Sequence, residues 1–198
     1  MPTIKQLIDQ LCPDGVEYKK LGEFADVYTG NRLNKSNMSV KGLYPVINGG
    51  IEASGYIEDF NENENTITIS QGGASAGYVN WITTRFWLGA HCYAIKPIEN
   101  INNRYLYFIL KNIERKIMAS KHGAGIPGLN RKVLFALSIP VPPLVIQERI
   151  VEVLDKFTAL EAELEAELEA RRKQYAYYRE KLLSFPQLPP PQPAELNG

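Results

Sequence analysis

The sequence predicts an α/β (α+β) domain followed by a long C-terminal α-helix that forms an antiparallel coiled coil in a dimer. Three observations predict it. Residues 20–100 hold short apolar runs separated by Gly and Asn, which read as strands and turns. Residues 103–118 switch to a helical period, yet strands and crossover helices never alternate regularly, which argues against a doubly wound parallel sheet. From Gln147 to about Ser184 there is neither Gly nor Pro, and Glu, Ala, Leu, Lys and Arg dominate, all strong helix formers.

Taken in order, residues 3–11 form a short helix with Thr3 and Gln6 at capping-box spacing, and the Pro13-Asp14-Gly15 turn ends it. Residues 66–70 alternate with period two, as do Val79 and Trp81. Residues 86–95 are a longer apolar run suited to one buried strand, with His91 a satisfied core residue within it. In the following helix Leu106, Ile109, Leu110, Ile113 and Ile117 make one apolar stripe, while Arg104, Lys111 and Arg115 line another face. A Gly-rich loop at 120–130 leads into a last apolar strand at 133–141, closed by Pro142-Pro143. The domain boundary falls there: 1–143 is the globular domain, 144–184 the helix, and 185–198 a tail with five prolines, expected to be disordered.

The helix would reach about 55 Å, far more than a small domain needs for its own core. Its apolar positions Ile150, Leu154, Phe157, Leu164, Leu168, Tyr175, Tyr178 and Leu182 recur by fours, threes and sevens, and Glu161 and Arg171 fall on the same seam. Acidic residues crowd 161–169, whereas Arg171, Arg172, Lys173, Arg179 and Lys181 crowd the far half. Two antiparallel copies set acidic halves against basic ones, and a parallel pair would set like against like. A homodimer through this seam is therefore expected.

Composition bounds the function. In 198 residues, 44% are hydrophobic, enough for a real core. Cys12 and Cys92 lie far apart, with no CxxC spacing, which argues against a disulfide framework and a zinc site and suits a reducing cytoplasm. Lys5, Gln6, Asp9 and Gln10 interrupt the first apolar positions, so no signal peptide is expected, and no run is long enough to span a membrane. The net charge of zero is unevenly spread. Residues 104–132 hold seven cations (Arg104, Lys111, Arg115, Lys116, Lys121, Arg131 and Lys132) against Glu114 alone. Such local charge, rather than the total, sets affinity for a polyanion.

No catalytic constellation emerges. Gly72, Gly73 and Gly77 precede a strand rather than a helix N-terminus, and GxxxxGK[ST] is absent. Asp14, Glu17 and Lys19 are too close in sequence to come from neighbouring strands and clamp a metal. The Asn/Asp-Pro-Pro-aromatic tetrapeptide that DNA-adenine methyltransferases use is missing, since Val141 precedes Pro142-Pro143 and Leu144 follows.

Residues 12–23, residues 67–79 with their Gly72-Gly73 and Gly77, and above all residues 137–144 with Gln147, Ile150, Leu154 and Phe157 resemble type I restriction–modification specificity subunits. In that family a strand, a double proline and a Gln-led helix join a recognition domain to its spacer helix. The chain departs from the pattern in two ways. It has one recognition domain and one helix where full subunits have two of each, which leaves open a natural half-subunit that dimerises or a fragment of a longer protein. It also carries Val145-Ile146 where polar or acidic residues are common. The resemblance implies a non-catalytic subunit that reads double-stranded DNA, each domain taking half of a bipartite site. It implies docking to methyltransferase subunits, which bring S-adenosylmethionine, and through them to the restriction subunit; this chain itself is expected to bind no cofactor. A stand-alone dimeric DNA-binding regulator and a coiled-coil adaptor with a protein-binding head are the alternatives.

Reading DNA requires donors and acceptors on loops that can enter a groove, flanked by cations for phosphates. Loops at 30–35, 48–50, 71–78 and 120–132 qualify. Gln71, Asn48, Asn130 and Arg32 are the candidates for base edges, Lys35, Lys121, His122, Arg131 and Lys132 for phosphates, and Tyr78 for stacking or groove lining.

Overall fold

The computed structural model describes residues 2–98, 100–121 and 128–186, which fall into two units dividing between Val153 and Leu154. The first turns of the C-terminal helix thus belong to the head. His122 and residues 187–198 of the tail lie outside the described residues.

The head opens with α1 (Ile4–Leu11), whose capping box forms as the spacing predicts: the Gln6 N–H donates to Thr3 Oγ1 at 3.2 Å, and the Thr3 N–H donates to Gln6 Oε1 at 2.8 Å. The main sheet contains β2 (Ala25–Thr29), β5 (Thr66–Ser70), β6 (Val79–Ile82) and β8 (Cys92–Pro97). Its order is β2-β8-β5-β6, antiparallel throughout. A smaller sheet sets β3 (Tyr44–Ile47) between β4 (Tyr56–Ile57) and β7 (Trp87–Leu88).

Each face of the main sheet has its own cover. Val27, Ile67, Ile69, Val79 and Ile95 join a core with residues of α2 (Leu21–Phe24), α3 (Asn103–Asn112), α4 (Glu114–Ala119) and α5 (Arg131–Phe135). On the other face Ile82, Cys92 and Ala94 pack with Phe86 and with Ile47 and Leu88 of the small sheet. Thr68 and Ser70 pair with Ala94 and Cys92 on that second face and are buried, so the period-two pattern of β5 separates two cores rather than core from water.

Three expectations about elements need correction. Residues 86–95 are not one strand: β7 ends at Leu88, and β8 starts at Cys92 after a turn through Gly89, Ala90 and His91. His91 is exposed in that turn, not in the core. Residues 133–141 are not a strand either, because Asn130 caps a helical turn, α5, and only β9 (Ser138–Pro140) is extended. The helix expected at 103–118 breaks at Ile113 into α3 and α4, although Leu106, Leu110 and Ile117 of its stripe are fully buried.

The segments around the double proline and the N-terminal turn meet. Strand β1 (Tyr18–Lys20) pairs antiparallel with β9, and flanking bonds run from the Leu21 N–H to the Leu137 carbonyl (2.9 Å) and from the Val141 N–H to the Glu17 carbonyl (2.8 Å). The Tyr105 hydroxyl donates to the Pro140 carbonyl at 3.1 Å, and burial pushes its phenol up to about 12. Gln147 is wholly buried near the start of α6 (Leu144–Leu183). Its Oε1 accepts from the Asn102 N–H (2.8 Å), and its Nε2 donates to the carbonyls of Pro142 (2.7 Å) and Asn100 (3.3 Å). Asn102 in turn caps α3 through its side chain. One glutamine therefore ties the chain entering α3 to the chain entering α6.

Helix α6 continues through 40 residues, about 60 Å, as its composition predicts. From Phe157 onward its apolar side chains are bare: Phe157, Leu160, Leu164, Leu168, Tyr175, Tyr178 and Leu182 are all exposed. Ile150 and Leu154, assigned to the pairing seam from their spacing, are half-buried, Ile150 against the core of the head, so the bare seam begins at Phe157. None of the helices among the described residues is long and apolar enough to cross a membrane.

Candidate nucleic-acid interface

Antiparallel pairing gathers the candidate loops at one end of the main sheet. Thr29 at the end of β2 and Ser70 at the end of β5 both lie beside the start of β8, opposite Tyr93 and Cys92. Beyond them the loops bond to one another. The Gly30 N–H donates to the Gly89 carbonyl at 3.2 Å and the Gln71 N–H to the His91 carbonyl at 3.0 Å. The Gly49 carbonyl accepts from the Ser70 hydroxyl and from the Ser75 hydroxyl (2.7 Å). The Leu129 N–H reaches the Gln71 carbonyl at 2.7 Å. Gly30 and Gly89 are required by this crowding: a Cβ on the first would overlap the Leu88 carbonyl, and one on the second the Asn48 side chain.

Each predicted base reader except Arg32 has a side-chain anchor. Gln71 Nε2 donates to the Tyr93 hydroxyl (2.9 Å), which donates to the Leu129 carbonyl (3.0 Å). Asn48 Oδ1 accepts from the His91 N–H at 3.2 Å, and Asn130 Oδ1 accepts from the Lys132 N–H at 2.9 Å as the cap of α5. These bonds fix which way each amide faces. A carboxamide has two donors and two lone pairs, so each keeps capacity for a partner. Gln71, Asn130 and Arg131, with Ser120 and Leu129, line one hollow whose floor includes Tyr93.

The cations divide into two sets. Lys111, counted among the basic residues of 104–132, is committed to the fold: its ammonium binds Glu114 (2.6 Å) and the Val79 carbonyl (2.9 Å) and lies 4.3 Å from the centre of the Tyr78 ring. Glu114 also accepts from the Val79 N–H. Tyr78, predicted to stack or line a groove, thus has one face covered by Lys111. Arg104 stacks on Trp81, Tyr107 and Phe108 at 4.7–4.9 Å. Arg32, Lys35, Arg131 and Lys132 are exposed and, with half-buried Lys121, form no ion pair among the described residues; Lys121 reaches the Ala74 carbonyl at 3.5 Å. His91 joins this end although its sequence context did not point there; Gly89, within the apolar run, was the one available sign of a turn.

A family model for the type I restriction modification DNA specificity domain matches residues 13–170. A Haemophilus influenzae protein assigned as a type I restriction enzyme specificity subunit is 34% identical over 186 residues, covering 87% of this chain and 47% of that protein. The EcoR124I/EcoR124II specificity subunit of Escherichia coli is 42% identical over 99 residues, 47% of this chain and 24% of that one. The crystal structure of an S subunit from M. genitalium superposes with a TM-score of 0.71 at 26% identity, covering 84% of this chain and 46% of that one. That of the HsdS subunit from Thermoanaerobacter tengcongensis shares the fold (TM-score 0.58, 21% identity), covering 89% and 49%. This chain therefore spans about half the length of the longer-matched relatives.

Proposed function

The chain belongs to the type I restriction modification DNA specificity family, and from that premise we propose that it is a non-catalytic half-subunit that reads one half of a bipartite DNA site. The observation that carries this reading is the convergence of five glycine- and asparagine-bearing loops at one sheet end, with Arg32, Lys121, Arg131 and Lys132 on them and Lys35 three residues beyond Arg32. Lys35, Lys121, Arg131 and Lys132 meet phosphates and fix register; Gln71, Asn48, Asn130 and Arg32 face base edges. Anchoring three of these side chains before DNA arrives reduces the ordering cost of binding. His91 adds a donor at the same end.

The bare seam of α6 covers itself with the same seam of a second copy, running antiparallel. Two heads then stand at a set separation over an unread spacer, and twofold symmetry makes the target an interrupted palindrome. Methyltransferase subunits dock on the paired helices, bring S-adenosylmethionine, and link the restriction subunit. The chain itself supplies recognition and holds no cofactor.

The test combines partner capture with a seam variant. The native chain should co-purify with the methyltransferase subunits of its own system and select one DNA sequence over random duplex. Leu164→Lys with Leu168→Lys should give a folded monomer that loses selectivity for the two-part site. An unchanged solution mass for that variant would contradict the pairing role.

A further inference from the structure

The two charges on the bare seam of α6 identify the register of the dimer. We infer that Glu161 of each copy pairs with Arg171 of the other across the antiparallel helix interface, with the twofold axis beside residue 166. This rests on the pairing proposed above and adds its alignment.

The seam is a heptad pattern: Leu154, Glu161, Leu168 and Tyr175 hold one position, and Phe157, Leu164, Arg171 and Tyr178 the other. In an antiparallel pair each position of one kind faces the other kind, so the allowed registers step by seven residues. Sliding the helices through these steps, one alignment sets Glu161 against Arg171. The same alignment sets Leu164 against Leu168 on either side of the axis, Phe157 against Tyr175 and Leu154 against Tyr178. Every apolar layer meets an apolar or aromatic one, and both charges are answered.

The neighbouring register competes on charge alone. It lays more of the acidic stretch 161–169 along the basic stretch beyond it, but it sets Arg171 against Leu168 and Glu161 against Tyr178. Rim ion pairs contribute little in water, whereas a seam charge left without its counter-ion is costly, so the seam decides. The chosen register brings Glu165 and Glu167 near their own copies on the solvated rim. Glu167 already holds Arg171 of its own helix at 3.4 Å, and that arginine can bridge both acids. Glu161 has no ion-pair partner among the described residues. On one helix Glu161 and Arg171 lie about 15 Å apart, too far to pair with each other. A charged pair in a seam fixes alignment more than it adds stability.

The experiment is a charge swap in the full chain, read by sedimentation. Both residues are exposed on the helix, so Glu161→Arg and Arg171→Glu should leave head unfolding and helix content unchanged. Each variant alone faces like charges twice and should dissociate at least tenfold more readily than the native chain. A one-to-one mixture restores both pairs and should form dimers containing one copy of each. If either variant dimerises as tightly as the native chain, or the mixture is no tighter than its components, the register is wrong. A native chain that sediments as a monomer would overturn the pairing beneath it as well.

Discussion

The two ends of the head are built on opposite terms. At the junction end, where β1 meets β9 and α6 begins, two polar side chains bond within the protein: Gln147 is wholly buried with three hydrogen bonds, and Tyr105 bonds Pro140. At the loop end Arg32, Arg131 and Lys132 are exposed, and the amides of Asn48, Gln71 and Asn130 are anchored at one point each. The difference teaches where the family likeness comes from. Of the segments that carry the resemblance, 12–23 and 137–150 build the junction, whereas 67–79 runs from β5 into the Gly72-Gly73 loop at the other end. The junction segments identify the scaffold, while the proposed reading loops, 71–78 excepted, lie outside the segments that carry the resemblance.

This contrast can be broken by substitution, beginning where the effect is largest. Gln147→Leu removes three bonds and strands the Asn102 N–H and the carbonyls of Asn100 and Pro142. Unsatisfied buried groups cost about 1–3 kcal/mol each, partly relieved by relaxation, so a loss of roughly 3 kcal/mol is expected. In a domain of this size that lowers Tm by roughly 6–12 °C. A calorimetric shift under about 2 °C, on the same scale, would show that the junction is not the latch described here.

The loop end should behave in the reverse way. Lys121→Ala or Lys132→Ala should leave stability within about 0.5 kcal/mol of the native chain, as surface changes usually do. DNA affinity should fall for all sequences alike, and the slope of log K against log salt should flatten by about one unit per lost phosphate contact. Sequence-selective loss from either variant would reassign that lysine to a base edge.

The smallest effect sharpens the two-core description. Burial raises the Cys92 thiol from its ordinary 9.0 to about 12. Its folded pKa lies above the unfolded one, so the stabilisation is complete below pH 9 and is lost as pH climbs toward 12. Native-state alkylation near pH 8 should therefore label Cys12 and spare Cys92, which is buried between the sheets. Rapid labelling of Cys92 would mean that the small sheet opens.

Legibility in the sequence followed the range of the interactions. The capping box of α1 and the glycine-free run of α6 were readable because helices are local: their signals lie three or four residues apart. The apolar run 86–95 misleads because Phe86, Leu88, Cys92 and Ala94 share one core while Tyr93 and Ile95 face the other, so two short strands read as one, and only Gly89 marks the break. Residues 131–135 misled because the Asn130 cap, not their hydrophobicity, decides their conformation. The Gly- and Asn-rich loops could be found as loops. Their convergence could not, since it depends on strands that pair across about 20 to 70 residues, and so the sequence alone puts His91 in the core.

The account rests on two identical heads reading symmetric half-sites at a fixed spacing. Its most direct test is to map methylated bases in DNA from cells expressing this chain as the sole specificity subunit beside its methyltransferase partners. Methylation confined to one interrupted palindrome, with identical half-sites in opposite orientation and an unread spacer of constant length, is the result expected. Methylation at an asymmetric or uninterrupted site, or at no defined sequence, would contradict it.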